Sequence, residues 1–301
     1  MAGIAAQGGA PEVPSFGGTG DNEEGGDVGH GGEVSYGGDR NTDAQLAPSA
    51  FAGLVLWLEA STCSDSSEGG AGGTGPFRCP DASGHGNDAL QTDPLSAPLR
   101  VEDVINGHTA LRLQGNPSSL VVDDSESLHF GVAPFSMVIV ARWNNNEKPS
   151  GNYNGTAFLI HKTSNFYPFA GIAVWANYPQ IFGGVPAMTR FAAQLEQGTA
   201  FALGASNHLN DNQFRVYVVR RTTASEMELR IDGRSEARAQ IPPGVNTSAE
   251  GQPMIIGGLE NYAVAGDLAE LVVIAGTVAD GEQESLERFL LQKYGLAATS
   301  P

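Results

Sequence analysis

The hydrophobic pattern is densest in Gly266-Asp-Leu-Ala-Glu-Leu-Val-Val-Ile274. Successive side chains of a strand point to opposite faces, which sets Asp267, Ala269, Leu271 and Val273 against Leu268, Glu270, Val272 and Ile274. The first half reads as half-wet, with Asp267 and Glu270 its only acids. From Leu271 to Ile274 both faces are apolar, which predicts a strand covered on both sides near the middle of a layered β structure.

Shorter apolar segments recur along the rest of the chain. Leu54–Glu59, anchored by Trp57, is the first. Ala110–Gln114, Leu120–Val122, Phe135–Trp143, Ala157–His161, Gly171–Trp175 and Phe201–Ser206 follow. Turn formers such as Asn106-Gly107, Asn116-Pro117 and the long Asn144–Asn154 stretch divide them. Phe214–Arg221 leads into the clearest hairpin, Met227–Ile231, Asp232-Gly233 and Ser235–Gln240. Asp-Gly suits a two-residue turn because both central residues need positive φ. Met227, Leu229 and Ile231 alternate cleanly with Glu228 and Arg230. Met254–Gly258 and the Gly266 strand bring the count to roughly a dozen.

Short strands without intervening helices predict an all-β chain, a two-sheet antiparallel sandwich. One short C-terminal helix closes it. Asp280 with Gln283 makes a capping-box pattern, Leu286, Phe289, Leu290 and Tyr294 share a face, and Gly295 stops the helix. No repeat and no second folded domain is visible. Residues 1–45 differ: Gly-Gly pairs at 8–9, 17–18, 25–26, 31–32 and 37–38, scattered acids and few branched apolar residues cannot offset their ordering entropy. We read them as a disordered, Gly-rich acidic tether, with His30 a solvated loop residue, and residues 46–301 as the folded domain.

Charge narrows the partners. The 301 residues include 16 Lys or Arg and 34 Asp or Glu, a formal net charge of −18. That disfavours nucleic acid and anionic membrane surfaces, which need a basic footprint. No run approaches the roughly 18 apolar residues of a membrane helix, so no membrane insertion is expected. Cys63 and Cys79, 16 positions apart, have no His at ligand spacing and make a poor zinc site. As a disulfide they would close a loop, worth about 3 kcal/mol in the chain-entropy model, and would favour an oxidising compartment. The opening Met1–Gln7 shows neither the basic nor the apolar region of an export signal.

Leu54-Val-Leu-Trp-Leu-Glu followed by Asp81-Ala-Ser-Gly-His-Gly-Asn-Asp-Ala resembles the opening of the laminin-G-like jelly-roll domains of the concanavalin A-like lectin/glucanase superfamily, in their bacterial extracellular form. Asn106-Gly-His-Thr-Ala-Leu-Arg-Leu, the Leu229-Arg-Ile-Asp-Gly hairpin, Gly266-Asp-Leu-Ala-Glu-Leu-Val-Val and the ending from Glu282 to Leu296 are similar too. The resemblance covers about residues 50–296. It implies a two-sheet jelly roll in a secreted or cell-surface protein that binds glycans or other proteins, sometimes with calcium. No lipidation cysteine precedes the tether.

Some relatives of this fold are glycosidases, whose two carboxylates flank the bond at about 5–10 Å and come from Glu-x-Asp-x-x-Glu. That run is absent here. On a regular strand Asp267 and Glu270 point to opposite faces, and Asp232, which shares a face with Glu228, belongs to a turn. No Gly-x-Ser-x-Gly elbow supports a nucleophilic triad, and Asp81-Ala-Ser83-Gly-His85 reads more simply as a turn. Calcium needs hard oxygen ligands, which Asp81, Ser83, Asn87 and Asp88 of one dense turn would supply, together with Asp267. The competing reading is that these side chains cap their own backbone.

A glycan site combines an aromatic platform with amide and acid hydrogen-bonders in a cleft. Trp143 with Asn144-Asn-Asn146, Tyr153, Asn165-Phe-Tyr167 and Trp175-Ala-Asn177-Tyr178 supply that mix. For Trp143 and Trp175, core or sheet-edge packing serves equally well, whereas Tyr153, Tyr167 and Tyr178 fall in loops. The expected protein is a non-catalytic extracellular binding or adhesion module that recognises carbohydrate. A surface scaffold for a protein partner is one alternative, and a glycan-active hydrolase with an unrecognised carboxylate pair is the other.

Overall fold

The computed structural model describes residues 45–65, 76–143, 157–164, 170–177, 192–195, 201–204, 211–258 and 262–297. Residues 1–44, which hold nearly all of the expected tether, lie outside them. In chain order the strands are β1 (Leu54–Glu59), β2 (Ser64–Asp65), β3 (Phe77–Cys79), β4 (Ala89–Gln91), β5 (Leu99–Ile105) and β6 (His108–Gln114). Next come β7 (Leu120–Val122), β8 (Phe135–Trp143), β9 (Ala157–Thr163), β10 (Gly171–Asn177), β11 (Ala192–Leu195) and β12 (Phe201–Gly204). The last are β13 (Arg215–Thr223), β14 (Glu226–Ile231), β15 (Arg234–Gln240), β16 (Met254–Ile256) and β17 (Ala265–Ala275), before the helix α1 (Asp280–Lys293).

Among the described residues they form two antiparallel sheets and one C-terminal helix, the class that the pattern predicts. One sheet runs β15-β14-β13-β8-β17-β6-β5 with β1 also on β17, and the other β12-β11-β10-β9-β16-β7-β4-β3-β2. The predicted central strand is central. β17 pairs with β8 along one edge, and along the other first with β6 and then with β1. Its inward side chains Leu268, Leu271 and Val273 join the core between the sheets, with Met137, Ile139, Trp143, Tyr217 and Val219. Its outward side chains Ala269, Val272 and Ile274 pack with Val138, Val140, Val216 and Val218 under Leu286, Leu290 and Leu291 of α1. Complete burial contributes about 1.5–3 kcal/mol per aliphatic side chain before ordering costs, so the apolar face of α1 suffices to dock it.

The regular alternation read from the sequence breaks once in this strand. Asp267 lies opposite Arg142 and Leu268 opposite Ala141, but Val140 is met by Glu270, leaving Ala269 as an extra residue. Such a bulge shifts the phase of every side chain beyond it. Asp267 and Glu270 therefore share the outer face instead of pointing apart.

Three further local expectations change in detail. Asp280 is the first residue of α1 rather than its cap. The carboxylate that reaches back is that of Glu282, accepting from the Ala279 amide at 3.0 Å, while Gln283 is buried and accepts from Ser136 Oγ at 2.7 Å. Second, the polar face of the hairpin that carries Glu228 and Arg230 is buried. Asp232 (φ 48°) and Gly233 (φ 85°) make the expected turn, yet α1 covers the polar side of β14. There Glu228 accepts from Arg220 Nε at 2.6 Å and Glu287 from Arg230 Nε at 2.7 Å. Third, the described strands number seventeen. β5 escapes notice because its residues are mostly exposed and its apolar positions do not alternate, with Asp103 at φ 55° breaking the register. β2, β3, β4 and β11 are too short to show a period. Cys63 and Cys79 are joined, with an S–S distance of 2.03 Å.

Candidate functional site

Three backbone hydrogen bonds fix which ends of the two sheets coincide. The Gly257 amide donates to Leu159 O at 2.9 Å, the Val264 amide to Gly257 O at 2.9 Å, and the Gly115 amide to Val264 O at 3.1 Å. They run from β9 and β16 to the start of β17 and the finish of β6. At this end Gly266 lies opposite Trp143, and Ala157 opposite Asn177. A Cβ on Gly266 would sit 2.3 Å from Arg142 O and 3.0 Å from Trp143 Cβ, so glycine is what lets β17 close against β8 here. β8 finishes at this end with Trp143, β9 starts here with Ala157 and β10 finishes here with Asn177, whereas Thr163 and Gly171 face each other at the opposite end. Of the predicted glycan-site residues, Tyr153, Asn165, Tyr167 and Tyr178, and the Asn177 side chain, lie outside the described residues.

The two tryptophans are packed. Trp143 is 1% exposed and its ring lies 4.5 Å from that of Tyr217. Trp175 is 7% exposed and meets Tyr262 edge-on at 6.3 Å. Side chains buried to this degree serve the core. Below Trp143, Arg215 bridges two acids. Its Nη1 donates to Asp211 Oδ1 at 2.7 Å and its Nε lies 3.7 Å from Asp232 Oδ2. The Arg215 hydrogen bond holds Asp211 below its ordinary pKa. Burial instead pushes Asp232 up to about 6, against the pull of the Val216 amide and Arg215.

Sequence reasoning missed the most organised polar feature of this end. Arg112 on β6 donates through Nε to Asp267 Oδ1 at 2.8 Å and through Nη2 to Oδ2 at 3.2 Å. Arg142 on β8 donates to Asp267 Oδ2 from Nε at 2.8 Å, with Nη2 at 2.6 Å, and its guanidinium lies 4.7 Å from the centre of the Phe214 ring. Asp267 raises the Arg112 pKa through this hydrogen bond. The sequence signal was Asp267, the first of two acids at the mouth of an apolar strand, whose partners only the register reveals.

Asp267 is thereby committed away from the Asp81 turn, with which it shares no partner among the described residues. Within that turn Asp81 Oδ1 accepts from the amides of Trp57 and Ser83, both at 2.9 Å, and Oδ2 from Ser83 Oγ at 2.7 Å and the Asn87 amide at 3.0 Å. Asp88 accepts from the Asp81 amide at 2.7 Å and from Arg78 Nε at 2.9 Å. Asn87 Oδ1 accepts from Ser125 Oγ at 2.7 Å while its Nδ2 donates to Val55 O. The Asp81 and Asp88 oxygens thus hold the backbone of the turn. Among the described residues no group of three or more His, Cys, Asp or Glu side chains is placed to hold a metal ion. The opposite end of the sandwich carries its own cation: the fully buried Lys162 ammonium donates to Asp124, to Gln252 O at 2.5 Å and to Ala249 O at 3.3 Å.

Among the described residues Glu228 and Asp280 share Arg220 Nη2 at 2.5 Å each, and a second carboxylate pair also comes within hydrolytic reach. Glu59 and Glu270 are cross-strand neighbours on β1 and β17, and Lys293 Nζ lies 2.6 Å from one and 2.7 Å from the other. Glu270 is 1% exposed and also accepts from Trp57 Nε1 at 2.7 Å and Tyr294 Oη at 2.8 Å. Burial would raise the Glu59 pKa, but hydrogen bonds from Lys293 and Ser61 outweigh it and hold it below the ordinary value. A glycosidase needs one of the pair protonated and both open to substrate. This pair instead fastens the end of α1 to the sheet.

No protein-family model matches this chain, and no curated protein does. Solved structures do. It is similar to the binding domain of Paraclostridial Mosquitocidal Protein 1, with TM-score 0.55 and 17% identity over 79% of this chain and 52% of that one. The receptor binding domain of botulinum neurotoxin D gives TM-score 0.55 and 10% identity over 79% and 53%. The botulinum neurotoxin serotype D ligand binding domain in complex with N-acetylneuraminic acid gives 0.53 and 11% over 83% and 52%. At such identities the likeness is one of fold. This chain spans about half the length of each of those structures.

Proposed function

We infer that this chain is a non-catalytic binding module that recognises carbohydrate outside the cytoplasm, built on a laminin-G-like jelly roll. The observation that carries the reading is its two-sheet fold, shared with binding domains of toxins, one of them solved with a bound acidic sugar. The disulfide supports an oxidising setting. The tied state of Glu59 and Glu270 speaks against hydrolysis. A protein partner is the second reading, favoured by Leu95 and Leu99, which are 85% and 52% exposed.

The test is binding of the full chain to a broad glycan array, with calcium and with chelator. The expected result is selective binding that survives the chelator, because the Asp81 oxygens are already taken. Binding lost in chelator would place a cation in the site. A blank array would overturn the carbohydrate reading and leave the protein partner.

A further inference from the structure

Five side chains form one row across the outer face of the first sheet, at the end where Trp143 lies. Leu99 on β5 is opposite Arg112 on β6, Arg112 opposite Asp267 on β17, and Asp267 opposite Arg142 on β8. Phe214 completes the row, preceding Arg215, which pairs with Ala141, and standing under the Arg142 guanidinium. Directly opposed residues of antiparallel strands present side chains on the same face. Strands lie about 4.8 Å apart, so the row is about 19 Å long. The row lies beyond the rungs that α1 covers, Val138, Val140, Val216, Val218 and Ala269.

Its charge does not balance. One carboxylate, 5% exposed, takes two guanidinium groups that are 42% and 22% exposed. Neutralising Asp267 needs one arginine. The second is surplus, and it stands on the surface of a chain whose formal net charge is −18. Each arginine spends Nε and Nη2 on Asp267, and no described residue takes Nη1 of either. The buried aspartate holds both guanidinium groups by their Nε and Nη2 edges, which leaves the Nη1 donors outside the pair for a planar anionic ligand. Half-buried Phe214 at one end and exposed Leu99 at the other give apolar surfaces for a sugar ring face or an acyl substituent.

We propose that this row is the recognition surface for an acidic sugar, with the sugar carboxylate on Arg112 and Arg142. The assignment rests on the carbohydrate reading above and goes further by naming the class of sugar and the residues. Tenfold in affinity corresponds to about 1.4 kcal/mol.

The experiment uses the full chain on an array of sialic-acid and uronic-acid oligosaccharides, their carboxyl-reduced counterparts, neutral oligosaccharides and a tetraglutamate peptide. Wild type is expected to bind acidic members and to lose at least tenfold when the carboxyl is reduced. Arg112→Gln should lose at least tenfold with an unchanged melting temperature, because Arg142 still neutralises Asp267. Arg112→Lys should fall between them, keeping the charge without the planar fork. Equal binding of neutral and acidic members, indifferent to Arg112→Gln, would overturn the row while the carbohydrate reading stands. A blank array would overturn both. Binding of the peptide with a blank array would replace the sugar by an acidic protein segment.

Discussion

Asp232→Asn tests the electrostatics of the hairpin directly. Asp232 sits at φ 48° in the turn between β14 and β15 and accepts from the Val216 amide at 2.8 Å. Asn tolerates the same φ, is the other favoured residue before Gly in this turn, and keeps the accepting oxygen. What changes is charge. Burial raises the Asp232 pKa from 3.8 to about 6, so the folded state binds more protons than the unfolded one between those values. Stability from this group is complete below pH 4 and is lost as pH rises through about 6. A shift of about 2 units corresponds to roughly 3 kcal/mol. The asparagine also gives up the 3.7 Å approach of Arg215, which lowers the expected net gain at pH 8 to about 1–2 kcal/mol. For a domain of this size that raises the melting temperature by about 2–5 °C, with almost no difference at pH 4. Thermal melts of both proteins from pH 4 to pH 8 read this out. A variant destabilised at every pH, or a difference independent of pH, would refute the reasoning.

Two further substitutions probe the frame of the site. Gly266→Ala places a Cβ 2.3 Å from Arg142 O and is expected to cost about 3 kcal/mol or more, seen as a lower urea midpoint; an unchanged midpoint would mean that β17 and β8 can separate there. Lys162→Met leaves Asp124 and the carbonyls of Ala249 and Gln252 without their shared donor, and since Asp124 keeps His129 and the Gly251 amide the substitution should cost about 1–3 kcal/mol. Adding Asp124→Asn should recover part of that cost, because it removes the stranded charge, and purely additive losses would contradict the coupling.

Apolar runs and period-two patterning were enough to place β1 and β8 at their observed limits, the hairpin and the central strand. Those segments carry continuous or strictly alternating apolar residues, and that signal is local. What the pattern hid was non-local. The bulge at Ala269 leaves no mark in composition, yet it turns Glu270 onto the face that holds Asp267. The alternation put Glu228 and Arg230 on one face of the hairpin without saying what covers it, and only the docking of α1 makes them a buried network. The Asp81 turn offered two readings, and its hydrogen bonds favour the one in which the side chains serve their own backbone. Arg112 and Arg142 are 30 residues apart in sequence and meet only through Asp267, so the row they form was legible only after the register was known.

The most direct measurement is amide hydrogen exchange of the full chain with and without the oligosaccharide it binds best. A ligand seated on the row slows exchange near Arg112–Gln114, Arg142–Trp143, Phe214–Arg215 and Gly266–Asp267, and leaves the Lys162 end unchanged. Protection confined to Lys162–Thr163 and Gly171, or no change at any of these segments at saturating ligand, would contradict the account.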